Sequence, residues 1–307
     1  MKILITGGSG FIGSHSVSTA HSMGISTQTI DLVDGSDYKE DISEIDWNDF
    51  DLSKFDAVIH LAALISVPES FSIPEKYNEV NVESTERIFS ACVDQGVKRV
   101  IFASSAAVYG SSANPIKIIG QEAPPESPYA ETKLAGEDLA RKYATNKCKF
   151  SVFRFFNVYG TGQDADSPYA SVIPKFVSLS CRNETIKIEG DGNQTRDFIH
   201  VSDVAKTLIS ACSTIPERSY EIINLGTGKG TSVIDFASLL LQILKEEYRP
   251  SESKIKHYPP RIGDIRESLA DLTGLDKYAD PDTFLPFEKG IRDLVQEELK
   301  KPINGKN

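Results

Sequence analysis

The stretch ITGGSGFIG, residues 5–13, decides how the chain is read. It sets Gly7, Gly10 and Gly13 directly after a short apolar run and just before a helical pattern. Glycine lets a backbone turn tightly and come close to a pyrophosphate, which then rests among the free N–H groups of a helix N-terminus. The same glycine spacing occurs in ordinary turns, so its neighbours matter. Here a strand precedes it and a helix follows it, which makes Gly7, Gly10, Phe11, Ile12 and Gly13 the expected cofactor loop. Asp31 ends the next strand-like run, 18 residues after Gly13. A carboxylate there can accept hydrogen bonds from an adenosine ribose and would repel a 2′-phosphate, which favours NAD over NADP. Asp41 and Ile42, in KEDIS, are expected to meet the adenine through a side chain and a backbone group. Leu61, Ala62 and Ala63, in HLAAL, offer small groups where a dinucleotide must pass.

Outward from this loop, short apolar strands alternate with helical patterns. Strands are expected at residues 2–6, 27–31, 57–60, 99–103 and 151–155, and helices near 11–22, 74–95 and 128–146. That alternation specifies parallel βαβ units, an α/β fold of the Rossmann type with a doubly wound sheet. Between Asp31 and Asp56 there is room only for an extended crossover or a truncated helix. From about residue 158 the pattern loosens into loops, and 199–225 reads as one more helix and strand returning to the first domain. The expected division is an NAD-binding Rossmann domain at 1–157 plus about 197–226. A smaller C-terminal α/β substrate-binding domain would take about 158–196 plus 227–307, with a ligand cleft at the seam.

Bulk composition narrows the partners. With 307 residues, 40% of them apolar, the chain can bury a sizeable core. A net charge of −11 disfavours a nucleic acid. No apolar run approaches the roughly 18 residues of a membrane span. Cys92, Cys148, Cys181 and Cys212 show no CxxC spacing and read as reduced, buried thiols, and the chain opens directly on a strand. Both features point to a cytoplasmic protein. The five histidines lack zinc-like spacing, so no metal site is expected.

The chemistry is expected in two further stretches. SPYAETK, residues 127–133, spaces Tyr129 and Lys133 four apart, on one face if the segment is helical. A nearby cation favours the phenolate of a tyrosine, whose ordinary pKa is about 10. The pair is either a general base with its activator or an exposed helix face. FASSAAVYG, residues 102–110, ends a strand with Ser104 and Ser105. In a parallel sheet, ligands meet the carboxyl ends of the strands, beside the glycine loop.

Taken together, GGSGFIG, Asp31, HLAA, NVEST, SSAAVYG, SPYAETK, RFFNVYG, GDGNQTRDFIHVSD and RIGDIRESLAD run in order from residue 3 to about 271. In this the chain resembles the extended short-chain dehydrogenase/reductase superfamily and, within it, the nucleotide-sugar epimerases typified by UDP-glucose and UDP-N-acetylglucosamine 4-epimerases. The resemblance implies that Tyr129 takes the proton of the sugar's 4-hydroxyl. Lys133 would hold the nicotinamide ribose and lower the Tyr129 pKa. Ser105 would hydrogen-bond the reacting oxygen, and Ser104 would support it. Hydride would pass to NAD⁺ and return to the other face of a transient 4-keto sugar. The resemblance further implies that Phe156 lies beside the cofactor and Asn157 meets the diphosphate. Arg196 and Arg261 would grip the pyrophosphate, Asp264 the nucleotide ribose, and Val172, Ile173, Lys187 and Ile188 the uracil. A UDP-sugar is therefore the implied substrate.

Ser268 stands five positions after Gly263, where the resembling epimerases line the pocket near the sugar's C2 substituent. A small residue there would admit N-acetyl sugars, and Ser66 in HLAALISVPES resembles the N-acetylhexosamine branch. A homodimer is implied, through the helices at 74–95 and 128–146, with Tyr77, Val80, Phe89, Leu139 and Tyr143 as its expected surface. Sugar 4,6-dehydratases and decarboxylating relatives place acids directly after the catalytic hydroxyl. This chain has Ala106 and Ala107 there. A UDP-glucuronate 4-epimerase, a one-way reductase and a non-catalytic NAD-binding sensor are the other readings. Departures from the family pattern are the short segment after Asp31, Ile65 where some members carry lysine, and Ser84 for the usual glycine of NVxGT.

Overall fold

Period-two burial builds the first layer. In β1 (Lys2–Thr6), Ile3 and Ile5 point to one face and Leu4 to the other, and all three are fully buried. A strand buried on both faces belongs inside a parallel sheet. The computed structural model, which describes residues 1–165, 171–248, 252–260 and 265–301, places it at the centre of one. Around it lie β2 (Ser26–Asp31), β3 (Tyr38–Lys39), β4 (Ala57–His60), β5 (Arg99–Ser105), a short β6 (Ile116–Lys117) assigned elsewhere, and β7 (Lys149–Phe155). After β8 (Asn157–Tyr159), β9 (Ile186–Glu189) and β10 (Thr195–His200), β11 (Tyr220–Leu225) completes the sheet. Its order is β11-β7-β5-β4-β1-β2-β3, with every pairing parallel. The order reverses between β1 and β4, so the switch-point crevice opens where Gly7 and Leu61 leave the sheet.

Helices cover both faces. On the side of Ile3 and Ile5 pack α1 (Phe11–Ser22) and, from later in the chain, the helix Val201–Ser213, which supplies Val204 and Leu208. The opposite face carries, after the short α2 (Val67–Ser70) and α3 (Pro74–Asn78), α4 (Ser84–Asp94) and α5 (Pro128–Tyr143). Ile88, Phe89 and Ala140 seal Leu4, Val58 and Val100 there. All four cysteines are buried.

The single helix expected over 74–95 is broken. A π-helical turn at Glu79–Glu83 separates α3 from α4. The extra residue rotates the chain so that Asn81 points inward, where its amide bonds both backbone groups of Leu64 and the Thr132 hydroxyl. Ser84 is buried at the end of this turn and donates to the Glu79 carbonyl. The α5 helix ends at Tyr143, short of the expected 146.

The expected loosening after residue 158 also needs correcting. Residues beyond it form α6 (Val172–Cys181), β9 and β10, α7 (Val201–Ser213, the helix named above), β12 (Gly230–Ser232), α8 (Val233–Ile243), β13 (Ile255–Tyr258), β14 (Glu267–Ala270) and α9 (Phe287–Lys300). A second sheet runs β12-β10-β14-β6, with β8 also on β10, and β13 pairs with β9. Phe176, Ile188, Phe236, Leu240 and Ile291 form its core with α6, α8 and α9. Leu275 and Tyr278 pack back onto the large sheet. Asp197 joins the two sheets. Its buried carboxylate accepts backbone N–H groups from Thr227, Gly228 and Ala270 and the Thr227 hydroxyl.

Candidate active site

The glycine loop is shaped by close approach. Gly7 has a φ of +71°, and a Cβ there would lie 2.8 Å from the Ala62 nitrogen. At Gly13 a Cβ would come within 2.0 Å of the Gly7 carbonyl oxygen. Any side chain at either position would fill the cradle between β1, β4 and α1. No side chain caps α1, whose N-cap is Gly10, so its first N–H groups face the crevice ready for an anion. Asp31 borders this loop, accepting the Ser9 N–H at 2.9 Å and the Leu32 N–H at 2.7 Å. Phe11 packs edge-on against His15, and Ile12 turns into the core.

Two expected adenine contacts have local work as well. The Asp41 carboxylate accepts both the N–H and the hydroxyl of Ser43. Ile42 is buried in the core, and its carbonyl takes the Trp47 indole N–H at 3.4 Å. Leu61, Ala62 and Ala63 emerge half-buried from β4. Behind them His60 bridges the Thr6 and Thr85 hydroxyls at 2.7 and 2.9 Å. Burial, then the nearby Lys133 charge, pushes the His60 pKa down to about 3, so the ring is neutral.

The tyrosine helix begins where its residues dictate. Ser127 caps α5 by accepting the Ala130 N–H, and Pro128 occupies the first helical position. Tyr129 is thereby fixed in the first turn and Lys133 one turn later. The Lys133 ammonium is 5% exposed as a residue, donates to the Ala103 carbonyl at 2.9 Å, and lies 5.9 Å from the Tyr129 ring centroid. Ser105 ends β5, where its hydroxyl accepts the Ala107 N–H and starts the 3₁₀ turn Ala106–Tyr109. Tyr129, Lys133 and Ser105 therefore converge at the carboxyl edge beside the glycine loop. The pair is not an exposed helix face.

Electrostatics refine the expected roles. Burial raises the Tyr129 pKa above its ordinary value, and the hydrogen bond from Ser105 pulls it down. Burial alone lowers Lys133 to about 8. In the protein by itself the downward pull on the phenol thus comes from Ser105, whereas the sequence pointed to Lys133. The Ser104 hydroxyl donates at 2.5 Å to the buried Glu137, which turns it from the cofactor crevice toward the interior. Phe156 is buried with Tyr109 and Ala270.

A second cavity of about 530 Å³ lies between α6, β9 and β10. Asn157, Val172, Ile173, Lys187, Ile188 and Arg196 all line it, as do Lys175, Glu189 and Gln194, which the sequence reading did not single out. Asn157 donates to the Asp197 carbonyl, and Arg196 donates to those of Thr195 and Ile265. Ser268 is buried on β14 in register with Arg196, outside that lining. Ser66 caps α2 through the Glu69 N–H. Arg261 and Asp264 lie outside the described residues. Asn81, Glu137 and Arg154 were also missed. Glu137 had a readable signal, since Tyr129, Lys133 and Glu137 repeat every four residues on one helix face. Among the described residues no cluster suits a metal ion, and no helix is long and apolar enough to cross a membrane.

This geometry has close counterparts. The signature of the NAD dependent epimerase/dehydratase family matches residues 3–226. The chain belongs to that family. NAD is accordingly its cofactor, and the uncapped α1 with its side-chain-free cradle fits the dinucleotide. Among curated relatives, a putative UDP-glucose 4-epimerase of Methanocaldococcus jannaschii is 34% identical, over 88% of this chain and 90% of its own. A UDP-N-acetyl-alpha-D-glucosaminuronate decarboxylase of Bacillus cytotoxicus is 31% identical, over 96% and 97%. The structure of the UDP-N-acetylglucosamine 4-epimerase of Methanobrevibacter ruminantium, solved with UDP-N-acetylmuramic acid, superposes with a TM-score of 0.86. It is 34% identical and covers 96% of this chain and 97% of that one.

The tightest feature of the cradle gives a direct test. Gly13→Ala is expected to yield a folded protein that no longer carries NAD, because the new methyl cannot share space with the Gly7 carbonyl. Absorbance of the denatured supernatant measures the cofactor released. Stoichiometric NAD in the variant would contradict the assignment of this loop.

Proposed function

We propose that this enzyme is a UDP-sugar 4-epimerase, working on UDP-glucose and UDP-galactose and on their N-acetylated counterparts. One observation carries the reading: Ser105, Tyr129 and Lys133 form a complete hydroxyl–phenol–ammonium set, while the next two positions are Ala106 and Ala107. A dehydratase or decarboxylase of this type needs a carboxyl group there to move a further proton, and alanine has none to move. Oxidation and reduction at a single carbon is the chemistry left to the site.

In this reading NAD⁺ supplies the hydride acceptor and returns the hydride within the same turnover. The residues do the rest. Tyr129 takes the 4-hydroxyl proton and returns it to the same oxygen once the 4-keto sugar has turned over. Ser105 holds the reacting oxygen and the phenol together. Lys133, anchored on Ala103, keeps a positive charge against the phenolate. Asn157 and Arg196, with the 530 Å³ cavity lined by Val172, Lys187 and Ile188, suit a nucleoside diphosphate. Arg261, Asp264 and Ser66 complete the proposed substrate contacts, and the small Ser268 leaves room for an acetamido group. The proposed units are 1–157 plus about 197–226 for NAD and about 158–196 plus 227–307 for the nucleotide sugar.

A homodimer is also proposed, with a changed surface. Tyr77, Val80 and Phe89 are buried in their own subunit and cannot meet a copy. Leu139 and Tyr143 are half-buried on α5, while Val67, Phe71 and Ile73 are exposed beside it on and near α2. A two-fold contact through these faces would be self-complementary.

Three measurements test these proposals. Offered UDP-Glc, UDP-Gal, UDP-GlcNAc, UDP-GalNAc and UDP-glucuronate, the enzyme is expected to interconvert the first two and the next two. Tyr129→Phe should lower kcat by roughly 10²–10⁴-fold with NAD still bound, the usual cost of losing a positioned base. Turnover within about tenfold of wild type would remove Tyr129 from that role. A decarboxylated or dehydrated product would replace the epimerase reading. Sedimentation at micromolar concentration should give twice the 33.7 kDa chain mass; a single-chain mass would rule out the dimer.

A further inference from the structure

Behind the reacting groups lies a buried ion cluster that the proposed chemistry does not use. Arg154, on β7, has a side chain only 2% exposed. Its Nε and one terminal nitrogen donate to the two oxygens of Glu137 at 2.8 and 2.7 Å. The other terminal nitrogen pairs with Glu122. The guanidinium also lies 4.7 Å from the Tyr109 ring centroid. One cation is thus shared by two carboxylates, in a fork geometry that only arginine provides.

Each partner is attached to a different wall of the active site. Glu137 stands one turn beyond Lys133 on α5 and accepts the Ser104 hydroxyl, so it ties that helix to the last residues of β5. Glu122 lies in the segment between Tyr109 and the Ser127 cap, and it also accepts the Gly120 N–H. That segment is pressed onto the 3₁₀ turn. The Ala123 N–H reaches the Tyr109 carbonyl, and Gly110, at φ +52°, leaves its missing Cβ only 2.2 Å from the Pro124 oxygen. Ser105 follows Ser104 directly, and Tyr129 stands five residues after the pinned Pro124.

We propose that Arg154 is a positioning residue, which through Glu137 and Glu122 fixes the separation between the end of β5 that carries Ser105 and the start of α5 that carries Tyr129. The inference rests on Tyr129 acting as the base. A buried cluster that merely stabilised the fold would not control that separation. Burying such groups is costly, and a well-packed apolar replacement often serves stability as well or better.

The test acts on the two ends of the cluster and leaves the central Arg154–Glu137 pair intact, which avoids stranding a buried charge. Glu122→Gln acts at the partly exposed end, and Ser104→Ala at the β5 end. Of the ionisable groups around Tyr129, Lys133 lies against its ring, and His60, from β4 behind Lys133, is held neutral. Neither is altered by these changes. In the proposed mechanism activity is expected to rise with pH as the phenol ionises, and Ser105 is the group that lowers the Tyr129 pKa. Loosening that contact must therefore move the midpoint of the kcat–pH curve upward.

Both variants are expected to keep bound NAD and a KM for the UDP-sugar within about threefold of wild type. Each should lose about tenfold or more in kcat, as sub-ångström misplacement does, with the midpoint raised by about half a unit or more. An unchanged midpoint in either variant overturns the proposal, whatever happens to kcat or thermal stability. Failure of the wild type to turn over any UDP-sugar, or full activity in Tyr129→Phe, would instead refute the reading on which it rests.

Discussion

The site depends on one buried charge. Lys133 carries its ammonium into the interface between α5 and β5, where its hydrogen bond goes to the Ala103 carbonyl. Burial draws its pKa down to about 8 and pushes the Tyr129 phenol the other way. Each group is thereby moved toward its neutral form, and each would be relieved by an opposite charge on the other. The fold holds the two within one helical turn at the sheet's carboxyl edge, so an ammonium at Lys133 and a phenolate at Tyr129 stabilise each other, and in the proposed mechanism it is the phenolate that takes the sugar's proton. Ser105 supplies the remaining bias toward phenolate. Its geometry is set by β5, and that of Tyr129 by the Ser127–Pro128 helix start.

How much of this was readable depends on how local the determining contacts are. The glycine loop and Asp31 were legible because a strand, a tight turn and a helix start follow one another within a few dozen residues. The α5 start was legible for the same reason, with Ser127, Pro128 and the Tyr129–Lys133 spacing all adjacent. The break in the 74–95 helix was not. Asn81 is drawn inward by Leu64 and Thr132, from other parts of the chain, and no helical periodicity encodes that. The same reason applies to the expected dimer surface: the resemblance put Tyr77 and Phe89 on it, but both are buried in their own subunit. Short strands such as β6 and β14 exist only because they pair with each other across about 150 residues of chain. Arg154 escaped notice because its partners, Glu122 and Glu137, come from two other elements.

Family membership does not by itself choose the reaction. Relatives about equally similar to this chain are named for epimerisation and for decarboxylation. The difference must lie in a few side chains around a common oxidation step. In this chain, Ala106 and Ala107 occupy the turn that follows Ser105, and both are half-buried at the rim of the site. Their methyl groups neither donate nor accept protons, so that turn holds no acid or base for a second proton transfer.

The most direct test follows the hydrogen at C4. UDP-glucose carrying deuterium at C4 would be incubated with the enzyme in ordinary water, and the recovered sugar examined by mass spectrometry and NMR. If the account is right, UDP-galactose forms with the deuterium still on C4, because the hydride returns to the sugar from which it came and is never exchanged. Loss of the label to solvent, its transfer to another carbon, or a product lacking the C6 oxygen would contradict it.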